Sequence, residues 1–234
     1  MDNQLKEIFG AWLAAIGTVT AAVGSTPFRS LGESFRKDLS LIGNELQAVG
    51  NALEADGQGE ENLEKVGNEL QSVGNVTVIS GLVIDFDDII QQKLIISGNW
   101  IQALGGAAAL GDEFQDTSNI NEIYNIIGNL LQIIGNSLQA LSGINELKDN
   151  YIENKETSKK KQDNNNTIWS LDVTGSWIQA VGSVISLIGQ IQEESEEQSN
   201  EEQEDDSTNS DEKDDNASQG DKRRYEDVIQ NKYF

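Results

Sequence analysis

Glycine recurs every seventh residue in this chain, and six times it brackets one kind of block, typified by Gly43-Asn44-Glu45-Leu46-Gln47-Ala48-Val49-Gly50. The other copies begin at Gly10 (GAWLAAIG), Gly67 (GNELQSVG), Gly98 (GNWIQALG), Gly128 (GNLLQIIG) and Gly175 (GSWIQAVG). Several continue into a second heptad: Gly17 leads to Gly24, Gly50 to Gly57, Gly74 to Gly81 and Gly182 to Gly189. The units are unequally spaced, which excludes a strict solenoid of constant rise. The pattern reads as six related helices joined by loops of different length.

Spacing decides helix over strand. Phe35, Leu39, Ile42, Leu46, Val49 and Leu53 follow one another in steps of three and four, which traces one face of an α-helix. Ile120, Ile123, Ile127, Leu131, Ile134, Leu138 and Leu141 do the same. Two stretches, Asn75-Val76-Thr77-Val78-Ile79 and Ser183-Val184-Ile185-Ser186, are β-prone locally but lie inside the same repeat. The predicted helices span about 2–24, 30–55, 61–83, 87–110, 119–148 and 167–192. Ser25-Thr26-Pro27 closes the first, and Asp56-Gly57-Gln58-Gly59 turns the second into the third. The expected fold is all-α: a bundle or irregular array of six repeat-related amphipathic helices with an acidic C-terminal tail.

The organisation follows. Residues 1–152 carry the first five repeat helices, 153–166 form a polar link, and 167–192 hold the sixth helix, packing on the same bundle. Residues 193–222 are almost wholly polar and acidic; such a segment buries too little surface to offset its ordering entropy and is expected to be disordered. Residues 223–234 form a short aromatic and basic end in which Tyr225, Val228, Ile229 and Lys232 fall at helical spacing, followed by Tyr233 and Phe234. That end suits a tethered docking peptide for a partner, or a segment that folds back on its own bundle; the two readings stay open.

On a helical wheel at about 100° per residue, the fourth and seventh block residues form an apolar stripe with glycine at its edge. The stripe is the expected core face, and the expected helix-interface glycines are Gly43, Gly50, Gly67, Gly74, Gly98, Gly105, Gly128, Gly135, Gly175 and Gly182. Each mid-helix glycine costs about 1 kcal/mol relative to alanine. Close approach of helix backbones, which small residues permit, is the expected compensation. Gln47, Gln71, Gln102, Gln132 and Gln179 lie beside the glycines and are expected to hydrogen-bond across helices. Trp12, Trp100 and Trp177 share the third block position; burial in the core is preferred to an exposed aromatic row.

Composition removes much chemistry. The chain has no cysteine and no histidine, so thiolate nucleophiles, His-based triads and Cys/His zinc sites are ruled out. No glycine-rich phosphate loop is present. Asp85, Asp87 and Asp88 lack the glycine and terminal glutamate of a calcium loop and read as a helix cap. No catalytic constellation, cofactor or metal is expected. A formal net charge of −24 opposes nucleic-acid binding. Asn-x-Ser/Thr matches at Asn75, Asn165 and Asn216 carry no weight without a secretion signal. The N-terminal apolar run is read as a repeat and not a signal peptide, because Asp2, Lys6 and Glu7 leave no positive n-region. A cytoplasmic location follows as the expectation, with peripheral membrane association second.

The segments LKEIFGAWLAAIGT, STPF, GNELQAVGNALEADG and VISGLVIDF together resemble an uncharacterised family of repetitive proteins from Gram-positive, spore-forming bacteria. The resemblance covers about residues 1–190, omits the acidic tail, and implies a bacterial source without an assigned activity. The leading functional expectation is a non-enzymatic helical repeat protein for self-association or partner binding. The alternative is a membrane-associated or membrane-inserting helical protein, since Ile123–Asn145 and Val173–Gln192 are uncharged.

Overall fold

The computed structural model describes residues 3–59, 62–113, 120–152, 171–193 and 195. Six helices account for nearly all of them: α1 (Asn3–Ser25), α2 (Glu33–Gly57), α3 (Leu63–Val83), α4 (Asp88–Glu113), α5 (Ile120–Ile152) and α6 (Leu171–Glu193). The fold is all-α, with no strand among the described residues. All six helices lie essentially within one compact unit, Met1–Ile191; the second unit, Gln192–Phe234, falls almost wholly outside the described residues. The polar link, the acidic tail beyond Ser195 and the end carrying Tyr225 to Phe234 also lie outside them.

Local chemistry sets the helix ends. Asn62 caps α3 by accepting from the Lys65 amide at 2.7 Å. Asp87 caps α4 by accepting from the Ile90 amide at 3.1 Å. Gly59, just past α2, adopts φ +67°, a left-handed conformation that glycine takes without steric cost. The β-prone stretches in the third and sixth units are helical, because the repeat packs them on both sides.

Glycines form the tight seams. A methyl group built on Gly50 would meet the Gly10 carbonyl oxygen at 2.6 Å, and one on Gly10 would meet the Gly50 oxygen at the same distance. Gly17 and Gly43 pair likewise, as do Gly67 with Gly105, Gly74 with Gly98, Gly128 with Gly182 and Gly135 with Gly175. The pairs make three antiparallel hairpins, α1α2, α3α4 and α5α6. Looser seams join the hairpins. Ser72 of α3 donates to the Ala48 carbonyl of α2 at 2.9 Å. Gly106 of α4 faces Ile133 of α5, and Gly143 of α5 faces Ile96 of α4. Ala11 and Ala15 of α1 pack on Leu187 of α6, and the Trp177 indole donates to Thr26 Oγ1 at 2.9 Å. These contacts close an up-and-down ring of six helices.

Each block position has one environment around that ring. The first-position glycines are buried in the tight seam, and the sixth position (Ala15, Ala48, Ser72, Ala103, Ile133, Ala180) lies at or near the looser one. The two seams are about 140° apart on the wheel, close to the interior angle of a six-membered ring. Between them, facing inward, fall the second position (Ala11, Asn44, Asn68, Asn99, Asn129, Ser176) and the fifth (Ala14, Gln47, Gln71, Gln102, Gln132, Gln179). All are buried except Asn44, which is half-buried. The third and seventh positions face outward and are exposed in every unit.

This inverts the expected core. The apolar stripe is not the inward face: its fourth-position residues are half-buried, and its seventh-position residues Ile16, Val49, Val73, Leu104, Ile134 and Val181 are exposed. The tryptophans are not core residues either; Trp12 is 47% exposed and Trp100 42%. The reason is steric. Glycine-to-glycine contact draws the paired backbones so close that position one, not position four, sits on the axis between them.

Candidate functional site

The inward face is built of amides. At mid-height, Gln179 Nε2 donates to Gln47 Oε1 at 2.9 Å and to Gln102 Oε1 at 3.2 Å. Gln139 Nε2 donates to Gln179 Oε1 at 2.8 Å. Four helices, α2, α4, α5 and α6, are thus tied through one glutamine. Nearby, Gln132 Nε2 donates to Ser186 Oγ at 3.3 Å, and Gln47 Nε2 turns back to the Gly43 carbonyl at 3.2 Å. Gln71 is buried, with its Cγ pressed against Gly105.

Some of these amides keep unspent hydrogen-bonding capacity. Asn136 and Asn75 are each 1% exposed. Neither amide atom of Asn136 has a partner, nor do Asn75 Oδ1 and Gln102 Nε2. Burying such groups unpaired costs about 1–3 kcal/mol each. The asparagine row (Asn51, Asn68, Asn75, Asn99, Asn129, Asn136) escaped the sequence reading. Its signal was there, since each asparagine directly follows a repeat glycine.

On the inward face, charge is kept to the ends of the ring. At one end Glu54 lies against Gly10, within electrostatic reach of Glu7 and Glu64. Lys6 pairs with Asp56 there at 2.8 Å. At the other, Asp172 lies within reach of Glu146. Among the described residues no group of acidic side chains is arranged to hold a metal ion.

The outer face is the second candidate surface. On α1 it presents Leu5, Phe9, Trp12, Ile16 and Val19, and on α6 Trp177, Val181, Val184 and Ile188. Trp100 and Leu104 continue it on α4, as do Ile123, Ile127, Leu130, Ile134 and Leu141 on α5. Helices α2 and α3 differ: Glu45 and Glu69 hold the outward third position there. Around the ring α4, α5, α6 and α1 are consecutive, so one side has an uncharged middle and the other is charged at mid-height. Three helices are long and apolar enough to cross a membrane: α1, Asp88–Asp112 of α4, and α6.

No curated protein and no solved structure matches the chain. One family does, described as a family of unknown function (DUF6944), over residues 5–187. That span holds all six repeat blocks, and the chain belongs to this family.

Proposed function

We propose that the chain is a membrane-inserting helical bundle. The observation that carries this reading is the inverted distribution: buried Gln and Asn inside, exposed Trp, Leu, Ile and Val outside. In water, burial of apolar surface drives folding, and this ring leaves much of its apolar surface outside. In lipid that drive vanishes, and helices associate through close packing of small residues and interhelical hydrogen bonds. Both are present, in the glycine seams and in the Gln179 cluster. A 23-residue helix such as α1 or α6 extends about 34 Å, enough for a hydrocarbon core of about 30 Å. The test is flotation with neutral phosphatidylcholine vesicles, which avoid repulsion of the acidic chain, followed by an alkaline carbonate wash. Protein left at the bottom of the gradient refutes insertion.

Self-association is the second reading, favoured by Glu45 and Glu69. A carboxylate held at mid-height against lipid costs several kcal/mol. Packing the α2–α3 sides of two copies together would remove both glutamates from lipid. Cross-linking in detergent through cysteines introduced at Val49 and Val73 would trap that dimer. The same pair placed at Leu104 and Val181 would not.

A further inference from the structure

The ring's centre gathers unspent hydrogen-bonding groups in one place. The α4–α5 seam, fixed by Gly106 against Ile133 and Gly143 against Ile96, brings Gln102 and Asn136 to the same level. Asn75 follows Gly74, whose added methyl would lie 2.6 Å from Gln102 Cγ. Gly135, beside Asn136, packs on the Gln179 backbone nitrogen, and Gln179 in turn reaches Gln102. Asn75, Gln102 and Asn136 therefore border one central region. Their unpaired atoms are Asn75 Oδ1, Gln102 Nε2 and both amide atoms of Asn136.

This set selects its guest by chemistry. It presents donors and acceptors together, so it suits a molecule that both donates and accepts. Because Gln102 Oε1 is spent on Gln179, the free Gln102 Nε2 must act as a donor, which opposes a cation. With only neutral amides there, an anion has no counter-charge, and an ion would lose its hydration uncompensated. Water is the smallest molecule with both functions, and buried waters ordinarily take two to four such partners. Inward-facing Asn and Gln continue above and below this level, and carboxylates flank both ends.

We infer that the amide-lined axis of the ring is a path for water and similarly small neutral hydrogen-bonding solutes, with Asn75, Gln102 and Asn136 as its central relay. The inference rests on the membrane reading above. It is tested by reconstituting the full chain into phosphatidylcholine vesicles, confirming incorporation by flotation, and recording osmotic shrinkage by stopped-flow light scattering. Shrinkage is expected to be several-fold faster than in protein-free vesicles, without increased sodium leak. Asn136→Leu and Gln102→Leu are expected to bring it back toward the lipid baseline, and the outward Val181→Leu to leave it unchanged. Incorporated wild-type protein with baseline shrinkage overturns the path and leaves insertion standing. Equal flux through incorporated, helical Asn136→Leu also overturns it. Failure to incorporate refutes insertion, and the path with it. The wild-type measurement decides even where a leucine variant does not fold.

Discussion

Gly10 and Gly50 stand face to face across the α1–α2 seam, each so near the other's carbonyl that a methyl group on either would come to 2.6 Å from it. A glycine-to-alanine change here gains about 1 kcal/mol of helix propensity and loses more, because the obstacle is backbone on a neighbouring helix. Overpacking of this kind costs about 1–3 kcal/mol. Gly50→Ala and Gly135→Ala should each lower the melting temperature of the detergent-solubilised protein followed by circular dichroism. Gly111→Ala is the contrast, since only Leu63 Cδ1 approaches, at 3.6 Å; it should be neutral or stabilise by up to about 1 kcal/mol. A higher melting temperature for Gly50→Ala would show that the seam does not need its glycines.

Gln179 holds together partners on α2, α4 and α5. Gln179→Leu removes three bonds and strands Gln47 Oε1, Gln102 Oε1 and Gln139 Nε2 inside the ring. At about 1–3 kcal/mol per orphaned group, the loss should exceed that from Gln132→Leu, which breaks the single bond to Ser186. A double-mutant cycle between Gln179 and Gln47 should show coupling of about 0.5–3 kcal/mol. Additive effects would place the cluster outside the stabilising network.

Trp12, Trp100 and Trp177 face outward, so lipid should be their neighbour. Their emission should shift to the blue on addition of phosphatidylcholine vesicles, and lipids brominated on the acyl chain should quench it. Trp100→Phe and Trp177→Phe should each remove part of the quenchable signal. Emission that ignores both lipid and bromine would count against the outer face as a membrane surface.

A positive charge separates the two sides of the ring. Val181→Arg on α6 puts a guanidinium on the uncharged side, at a cost of about 2.5–3.5 kcal/mol on insertion scales. Val49→Arg on α2 puts it on the side that already carries Glu45. Flotation should fall strongly for Val181→Arg and much less for Val49→Arg. Equal losses would mean that both sides meet the same surroundings.

Much of the fold could be read from the chain, and its inside could not. The third helix is expected over 61–83 and found over Leu63–Val83, because turn residues and heptad glycines mark its limits. The seam glycines were legible for the same reason: their spacing is regular, and their cost in a lone helix demands a neighbour. Which face turns inward depends on the glycine seams, which put position one between the paired helices. Ranking Leu46 and Val49 as core follows the apolar stripe, yet Val49 is 53% exposed while Gln47 is 3% exposed. Asn75 and Asn136 were missed because asparagine in a helix is usually a surface or capping residue; only their place directly after a repeat glycine marks them as interior.

The seven-residue period leaves the seams interchangeable. Slide one helix past its partner by a heptad, about 10.5 Å along the axis, and glycine meets glycine again: Gly10 against Gly43, or Gly74 against Gly105. The connection between Val83 and Asp88 is too short to allow that slide in α3α4. The longer segment between Ile152 and Leu171 places no such limit on α5α6, where Gln132 and Gln139 also repeat at seven. The height of α6 is set instead by other hairpins, through the bonds of Gln179 to Gln47 and Gln102. The central glutamine thus acts as the phase key of the repeat, selecting one register among several that the glycines alone would accept.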